Sequence, residues 1–253
     1  MVVLQRVMTK AGRHYRVPGF ERAFPSVTTV LGIIDKPALV PWSTTVTLQA
    51  VEQEVLAQPH PSPPPQEWLG GVLERARSRH KDVLHQAGHF GTLAHQAIDD
   101  AICGVPCSVE LDRPLRNVVE GFAQWRESAG LRLTGDSMVF SERYGYAGAM
   151  DALGIGRTDG SIAVVDFKTS NGIYDSHLLQ VAAYAKAYEE MHNKRVSHGY
   201  VVRFDRNQPR FEAHAVADLD HAFNVFKAAL FLFRALNAQE GKWGPVSGLG
   251  RPL

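Results

Sequence analysis

A chain of 253 residues with 45% hydrophobic and 21% charged residues can bury a sizeable core, which excludes a disordered or collagen-like protein. Its formal net charge of +1 excludes a global field that gathers nucleic acid, so any basic footprint must be local. No apolar run reaches the ~18 residues that a membrane span needs, and two cysteines are too few for a four-thiolate iron–sulfur cluster.

Taken in order, 2–7 and 13–17 read as short strands around a turn at Thr9-Lys10-Ala11-Gly12. This acid-free, basic opening faintly echoes a mitochondrial presequence but reads better as structure, and it has no signal-peptide apolar core. Ser26 then reads as the N-cap of a helix whose apolar stripe is Val27, Val30, Leu31 and Ile34. Free N–H groups at such a start could also meet a phosphate. Pro37 and Pro41 break the chain before Trp42, and helical spacing resumes over 43–57. The run 59–65, Pro-His-Pro-Ser-Pro-Pro-Pro, reads as an extended linker.

A helix is expected over 66–86. It carries the densest basic run of the chain, with Arg75 and Arg79 on one face and Arg77 and Lys81 on another. A solvated helix face and a phosphate-contact strip are both open readings. A second helix is expected over 88–103, with His95 and Asp99 one turn apart. Cys103 and Cys107 could be a disulfide or half a zinc site, but two reduced thiols beside a helix end is the simpler reading. Over 112–129, Leu115, Val118, Val119, Phe122 and Trp125 give an amphipathic core helix, and 138–143 reads as a strand whose Glu142 could face a metal ion or, as the preferred reading, lie at the rim.

The stretch that carries chemistry follows. Alternating apolar runs over 148–155 and 161–168 flank Arg157-Thr158-Asp159-Gly160, a hairpin signal. A two-residue turn puts Asp151 opposite Lys168, with Asp166 diagonal; a four-residue loop puts Asp151 opposite Asp166. In either register the three side chains share one face, within about 5–8 Å of each other. Neighbouring carboxylates repel unless a cation or proton lies between them, and a pair of them suits Mg²⁺ or Mn²⁺. The plain alternative is a solvated hairpin with a cross-strand ion pair. Downstream, Asp175 or Ser176 should cap a helix running to 191, with Gln180 and Tyr184 on one face. A hairpin over 196–204 and 211–216 follows. A final helix over 218–239 has a core stripe of Phe223, Phe226, Leu230 and Phe233, and a tail from Gly241 is expected to be loose.

Gly148-x-x-Asp151, then Val164-Val165-Asp166-Phe167-Lys168-Thr169, then Gln180-x-x-x-Tyr184 resembles the PD-(D/E)xK nuclease superfamily. The likeness is to its RecB-like branch, including the mitochondrial genome maintenance exonuclease type and its phage and bacterial relatives. It runs from about 25 to about 191 and takes in Pro25-Ser26-Val27-Thr28 and Gly91-Thr92-Leu93-Ala94-His95. The resemblance implies that Asp151, Asp166, the Phe167 carbonyl and His95 hold Mg²⁺ or Mn²⁺ and that Lys168 is catalytic. It further implies that Gln180 and Tyr184 hold substrate or Lys168, and that Ser26 lies near the substrate. Asp99 could then orient the imidazole of His95.

The activity so implied is DNA phosphodiester hydrolysis, as an exonuclease preferring single-stranded DNA with a free end. Arg75, Arg77, Arg79 and Lys81 would contact phosphates, and Trp42, Trp68 or Phe90 would stack bases. A sequence- or structure-specific endonuclease, a non-catalytic nucleic-acid-binding module and a small-phosphoester hydrolase are the alternatives. No Gly-x-x-x-x-Gly-Lys-[Ser/Thr] motor motif is present, so unwinding in repair or recombination would need a separate helicase. Low cysteine use fits a reducing compartment. Since the opening residues read as structure rather than as a presequence, a bacterial or phage-type cytoplasm is expected over a mitochondrial matrix.

The element order gives an α/β fold with a central mixed β-sheet flanked by helices. The resemblance makes it a restriction-endonuclease-like core. One domain over 1–253 is expected, with a mainly helical N-terminal layer over 1–135 that roofs the metal site. The catalytic sheet and its helices would occupy 136–240.

Overall fold

The computed structural model describes residues 4–34, 36–57, 64–135 and 137–237. Most of the proline-rich run and the tail from 241 lie outside them. The chain opens with β1 (Gln5–Thr9) and β2 (Gly12–Arg16), an antiparallel hairpin that β3 (Phe24–Pro25) extends to three strands. Gly12, at φ 108°, closes the turn; a Cβ there would come 2.9 Å from Thr29 Cγ2. Ser26 caps α1 (Val27–Leu31) by accepting from the Thr29 N–H at 3.0 Å. This helix is a single short turn that stops at Gly32, so Ile34 falls outside it.

Helix α2 (Leu39–Ala57) follows, then α3 (Gln66–Cys103). The latter is one helix of 38 residues where the sequence suggested two, because Ala87-Gly88 does not interrupt it. The first half of α3 packs Val72 and Ala76, whereas α2 buries no residue. Together they form a helical arm. Helix α4 (Arg113–Ser128) starts at its Asp112 cap, and Leu115, Val118, Phe122 and Trp125 are buried as its spacing predicts.

The strands are β4 (Leu131–Thr134), β5 (Ser137–Ser141), β6 (Tyr146–Met150), β7 (Ala152–Gly156) and β8 (Ile162–Lys168). Then come α5 (Asp175–His192), β9 (His198–Phe204), β10 (Phe211–Ala215) and α6 (Leu219–Asn237). The central sheet has the order β10-β9-β8-β7-β4 and is mixed: β8 and β9 run parallel and the other pairs antiparallel. The parallel pair follows from α5, since parallel neighbours need a crossover. The architecture is therefore mixed α/β, with six helices among the described residues. Strand β4 was not foreseen; its four residues are too short for a periodic signal.

Helices cover both faces of the sheet. On one, Val164 packs with Val27, Val181, Tyr184, Val201 and Phe226 of α1, α5, β9 and α6. On the other, Ala163, Val165 and Phe167 pack with Ala94, Ile98, Phe122 and Trp125 of α3 and α4. Strand β8 therefore reads as a nearly continuous apolar run, as a strand buried on both sides should. Val27, Val30 and Leu31 join the α5 core, and Leu4, Tyr15, Val17 and Phe24 pack with Phe140 and Ala147 of β5 and β6, so the helical-layer expectation describes only the α2–α3 arm and α4.

Candidate active site

The site is built where β6 and β7 part company. The sequence read one strand over 148–155; the structure breaks it at Asp151. Strand β6 turns away to pair with β5, while β7 stays in the central sheet. The β7–β8 register, Ala152 opposite Val165 and Ile155 opposite Ile162, is the four-residue-loop alternative, which sets Asp151 across from Asp166. Asp151 Oδ2 accepts the Phe167 N–H at 2.8 Å, pinning the end of β8 at this divergence. On the opposite face, the Phe167 ring meets Phe122 and Trp125 edge-on at 5.6 and 5.5 Å, so the residue between Asp166 and Lys168 is anchored by aromatic packing.

Asp166 is fully buried. Its Oδ1 accepts from Gln180 Nε2 at 2.9 Å, and its Oδ2 lies 2.5 Å from Lys168 Nζ without an aligned hydrogen bond. Gln180 bridges further: its Oε1 accepts from Lys168 at 3.3 Å, and its amide also donates to Tyr184 Oη at 3.0 Å. The Tyr184 ring lies against β6 so closely that a Cβ on Gly148 would sit 2.5 Å from Cε1. The spacing Gly148-x-x-Asp151 and the pair Gln180/Tyr184 are thus one packing unit: a bare backbone admits the ring that positions the amide.

His95 reaches the same place from α3, its Nδ1 3.3 Å from Asp151 Oδ1, with 38% of its side chain still exposed. Asp99, one turn on, lines the cleft near it. Burial opposes the charge on Asp151, but His95, Lys168 and the Phe167 N–H outweigh it and hold this carboxyl below its ordinary range. Burial drives Asp166 the other way, to about 6, with Asp151 adding to the rise and Lys168 opposing it. Burial also disfavours the charged forms of His95 and Lys168, yet the two carboxylates raise both pKa values. The result is a tightly coupled group of two acids and two bases.

Among the described residues, no three His, Cys, Asp or Glu side chains stand ready as a metal cage. The donor chemistry nevertheless fits a hard divalent ion: two facing carboxylates, one with a buried oxygen lacking an aligned hydrogen bond, an imidazole and the adjacent backbone. The ammonium of Lys168 holds that Asp166 oxygen now.

A cleft of about 580 Å³ opens over these groups. One wall is α3, which presents Gly88, Gly91, Thr92 and His95. Glycine is costly inside a helix, and here it keeps the wall low. The opposite wall is the β1–β2 hairpin, from which Arg6 and Arg13 line the cleft. Sequence reasoning passed over both, because short strands carry no basic run; only their pairing puts them on one face. It also passed over His177, one turn before Gln180, whose Nδ1 accepts the Tyr174 N–H at 3.3 Å. Burial, reinforced by Lys168 and Lys36, depresses its pKa to about 4, so its imidazole is neutral.

Not every residue singled out in the sequence reaches the cleft. Ser26 is 2% exposed and its hydroxyl is engaged by Thr28 and Thr29, so it caps α1 and offers substrate no surface. Arg75 and Arg79 do not line the carboxylate cleft. They lie 16–20 residues before His95 on α3, roughly 24–30 Å along its axis. Arg75 is moreover tied to Glu54 on α2 at 2.5 Å, and Arg77 to Glu74 at 3.1 Å. Phe90 is covered by the Arg206 guanidinium at 4.4 Å from its ring centroid, and Trp68 lies beside Arg75 on the arm. The first residue of α5 is Asp175, so the cap is Tyr174 rather than Asp175 or Ser176. Glu142 is exposed in the turn after β5, and Cys103 and Cys107 are free thiols. No helix among the described residues is long and apolar enough to cross a membrane.

No family model matches the chain, and no curated protein is similar to it. Among solved structures it is similar to a protein described as "Crystal structure of SSO0001", at 14% identity and a TM-score of 0.28, over 56% of this chain and 84% of that one. A likeness this slight carries no argument about fold or chemistry.

Proposed function

We propose that the protein is a divalent-metal-dependent nuclease that hydrolyses DNA phosphodiester bonds, acting as an exonuclease on single strands, with a restriction-endonuclease-like core. One observation carries this reading. Asp151 and Asp166 face each other at a strand divergence, and the Lys168 ammonium lies 2.5 Å from the buried acid at the floor of an open cleft. Asp151, Asp166, the Phe167 carbonyl and His95 would hold Mg²⁺ or Mn²⁺, which when bound supplies Lewis acidity toward the phosphoryl group.

The chain's own residues do the rest. Lys168, whose ammonium lies 2.5 Å from Asp166 Oδ2, would meet charge developing on the phosphate. Gln180 keeps that ammonium within reach, since its Oε1 already accepts from it. Tyr184 fixes the Gln180 amide, and burial raises the phenol pKa well above 10, so it stays a neutral partner. Arg6 and Arg13, exposed on the hairpin wall, would hold flanking phosphates.

The test is incubation of 5′- and 3′-labelled DNA, linear and circular, single- and double-stranded, with Mg²⁺ or Mn²⁺. End-directed release of short products from linear single strands is expected, abolished by Asp151→Asn. Equal cutting of circular duplex would point to an endonuclease instead. Strand binding without cutting under every metal condition would leave a nucleic-acid-binding module.

A further inference from the structure

The cleft over the carboxylates is not the largest on the molecule. A second one, of about 1150 Å³, opens on the other face of the β1–β2 hairpin, closed by β3, the turn before β6 and the end of α6. Successive residues of a strand point to opposite faces. Arg13 therefore lines the catalytic cleft and His14, its neighbour on β2, lines the second. Lys10, at the hairpin tip, also lines the second cleft, with Arg22 and Arg234 and, among the described residues, no aspartate or glutamate.

Two guanidinium groups converge there. A Cβ on Gly145 would lie 2.9 Å from Arg234 Nη2 and 3.5 Å from Arg22 Nη2. Arg234 is fixed in place by donating to the Tyr144 and Gly145 carbonyls. Among the described residues neither arginine makes an ion pair with a carboxylate. Like charges held this close repel unless an anion lies between them. The buried Phe233 ring and that of His14, 6.4 Å apart, give the cleft an aromatic flank.

We propose that this second cleft binds the phosphodiester backbone of the strand whose cleaved bond lies at Asp151 and Asp166, so that one strand is held on both faces of the hairpin. The identity of the anion rests on the nuclease reading; the convergence of cations does not. A strand is favoured over a free phosphate because cations line both clefts of the one hairpin: Arg6 and Arg13 the first, Lys10 and Arg22 the second.

The experiment compares thymidine oligonucleotides of 4 and 16 units, by fluorescence anisotropy with Ca²⁺ in place of the catalytic ion. The proteins are the wild type and Lys10→Gln/Arg22→Gln, which touches neither the carboxylates nor the Arg234 anchor. The variant should bind the 16-mer at least tenfold more weakly. Its affinity for the 4-mer and its metal-dependent cutting of the 4-mer should stay within twofold of wild type. The salt dependence of 16-mer binding should flatten by about 1.4 in log–log slope, the value for two lost single-strand contacts.

An equal loss for both lengths, or none, overturns the proposal. So does calorimetric binding of inorganic phosphate that the variant abolishes while keeping full 16-mer affinity, which would mark a site for a free phosphate. If the wild type cuts no oligonucleotide, the nuclease reading falls. The length comparison, made without turnover, still decides the second cleft.

Discussion

Asp166 has no contact with solvent, and its two oxygens face an amide and an ammonium. Its folded pKa of about 6 stands above the ordinary 3.8. Stability from such a raised carboxyl is fully present below about pH 4 and is lost as pH rises through about 6. His95 is raised as well, so its contribution is lost above its ordinary 6.5, with the same sign. Asp151 is depressed and acts only below 3.8, outside this window. The metal-free protein should therefore melt at a lower temperature at pH 8 than at pH 5. Asp166 would contribute roughly 1 kcal/mol of that difference, since only the span from pH 5 to its pKa of about 6 falls inside it. Asp166→Asn should flatten the dependence, and Mn²⁺ should restore the wild type at pH 8; scanning calorimetry reads both. Lys168→Ala should lower turnover by ~10²-fold or more with strand binding retained, because its charge is needed in the transition state. Near-normal cutting by that variant would remove the lysine from the chemistry. His95→Ala should narrow the preference for Mn²⁺ over Mg²⁺, since an imidazole ligand favours the softer ion.

At the scale of elements, the contact of β6 with α5 is the most exposed to test. Gly148→Ala puts a methyl 2.5 Å from a ring carbon of Tyr184, so either the strand or the ring must move. A loss of about 1–3 kcal/mol is expected from such overpacking, read as a lower urea midpoint. Turnover should fall with it, because Tyr184 holds Gln180. An unchanged midpoint would show that the ring does not lie on the strand. Elsewhere, Arg6 and Arg13 of the hairpin line the carboxylate cleft, and the basic run of α3 does not. Arg6→Ala with Arg13→Ala should raise KM for a short single strand about tenfold or more. Arg79→Ala with Lys81→Ala, on the arm, should leave it within twofold.

The whole molecule divides into a densely packed body and a thin arm. Strand β8 and the 179–188 stretch of α5 are buried almost throughout, whereas α2 buries no side chain and is held chiefly against α3. Local opening costs least where least apolar surface is covered. Amides of α2 should therefore exchange with deuterium at least ~10²-fold faster than those of α5. Equal protection would show that the arm is as firmly held as the sheet.

The grouping of side chains at the floor was legible in the sequence because it is local. Period-two alternation placed Asp151, Asp166 and Lys168 on one face, and helical spacing placed Gln180 beside Tyr184 and Ser26 at a cap. The same short-range rules set the stripes of α4 and α6. What they could not decide was whatever depends on a partner distant in the chain. The hairpin register stayed open until β4 and β9 flanked the pair, and the break at Asp151 exists only because β6 finds β5. Whether His95 meets a carboxylate depends on where a 38-residue helix crosses the sheet. The densest basic run lies away from the cleft for that reason: charge density is a property of sequence, but distance from the carboxylates is set by packing. Arg6 and Arg13, scattered in sequence, lie at the cleft because two short strands pair and dock on α1, and only the tertiary structure could bring them there.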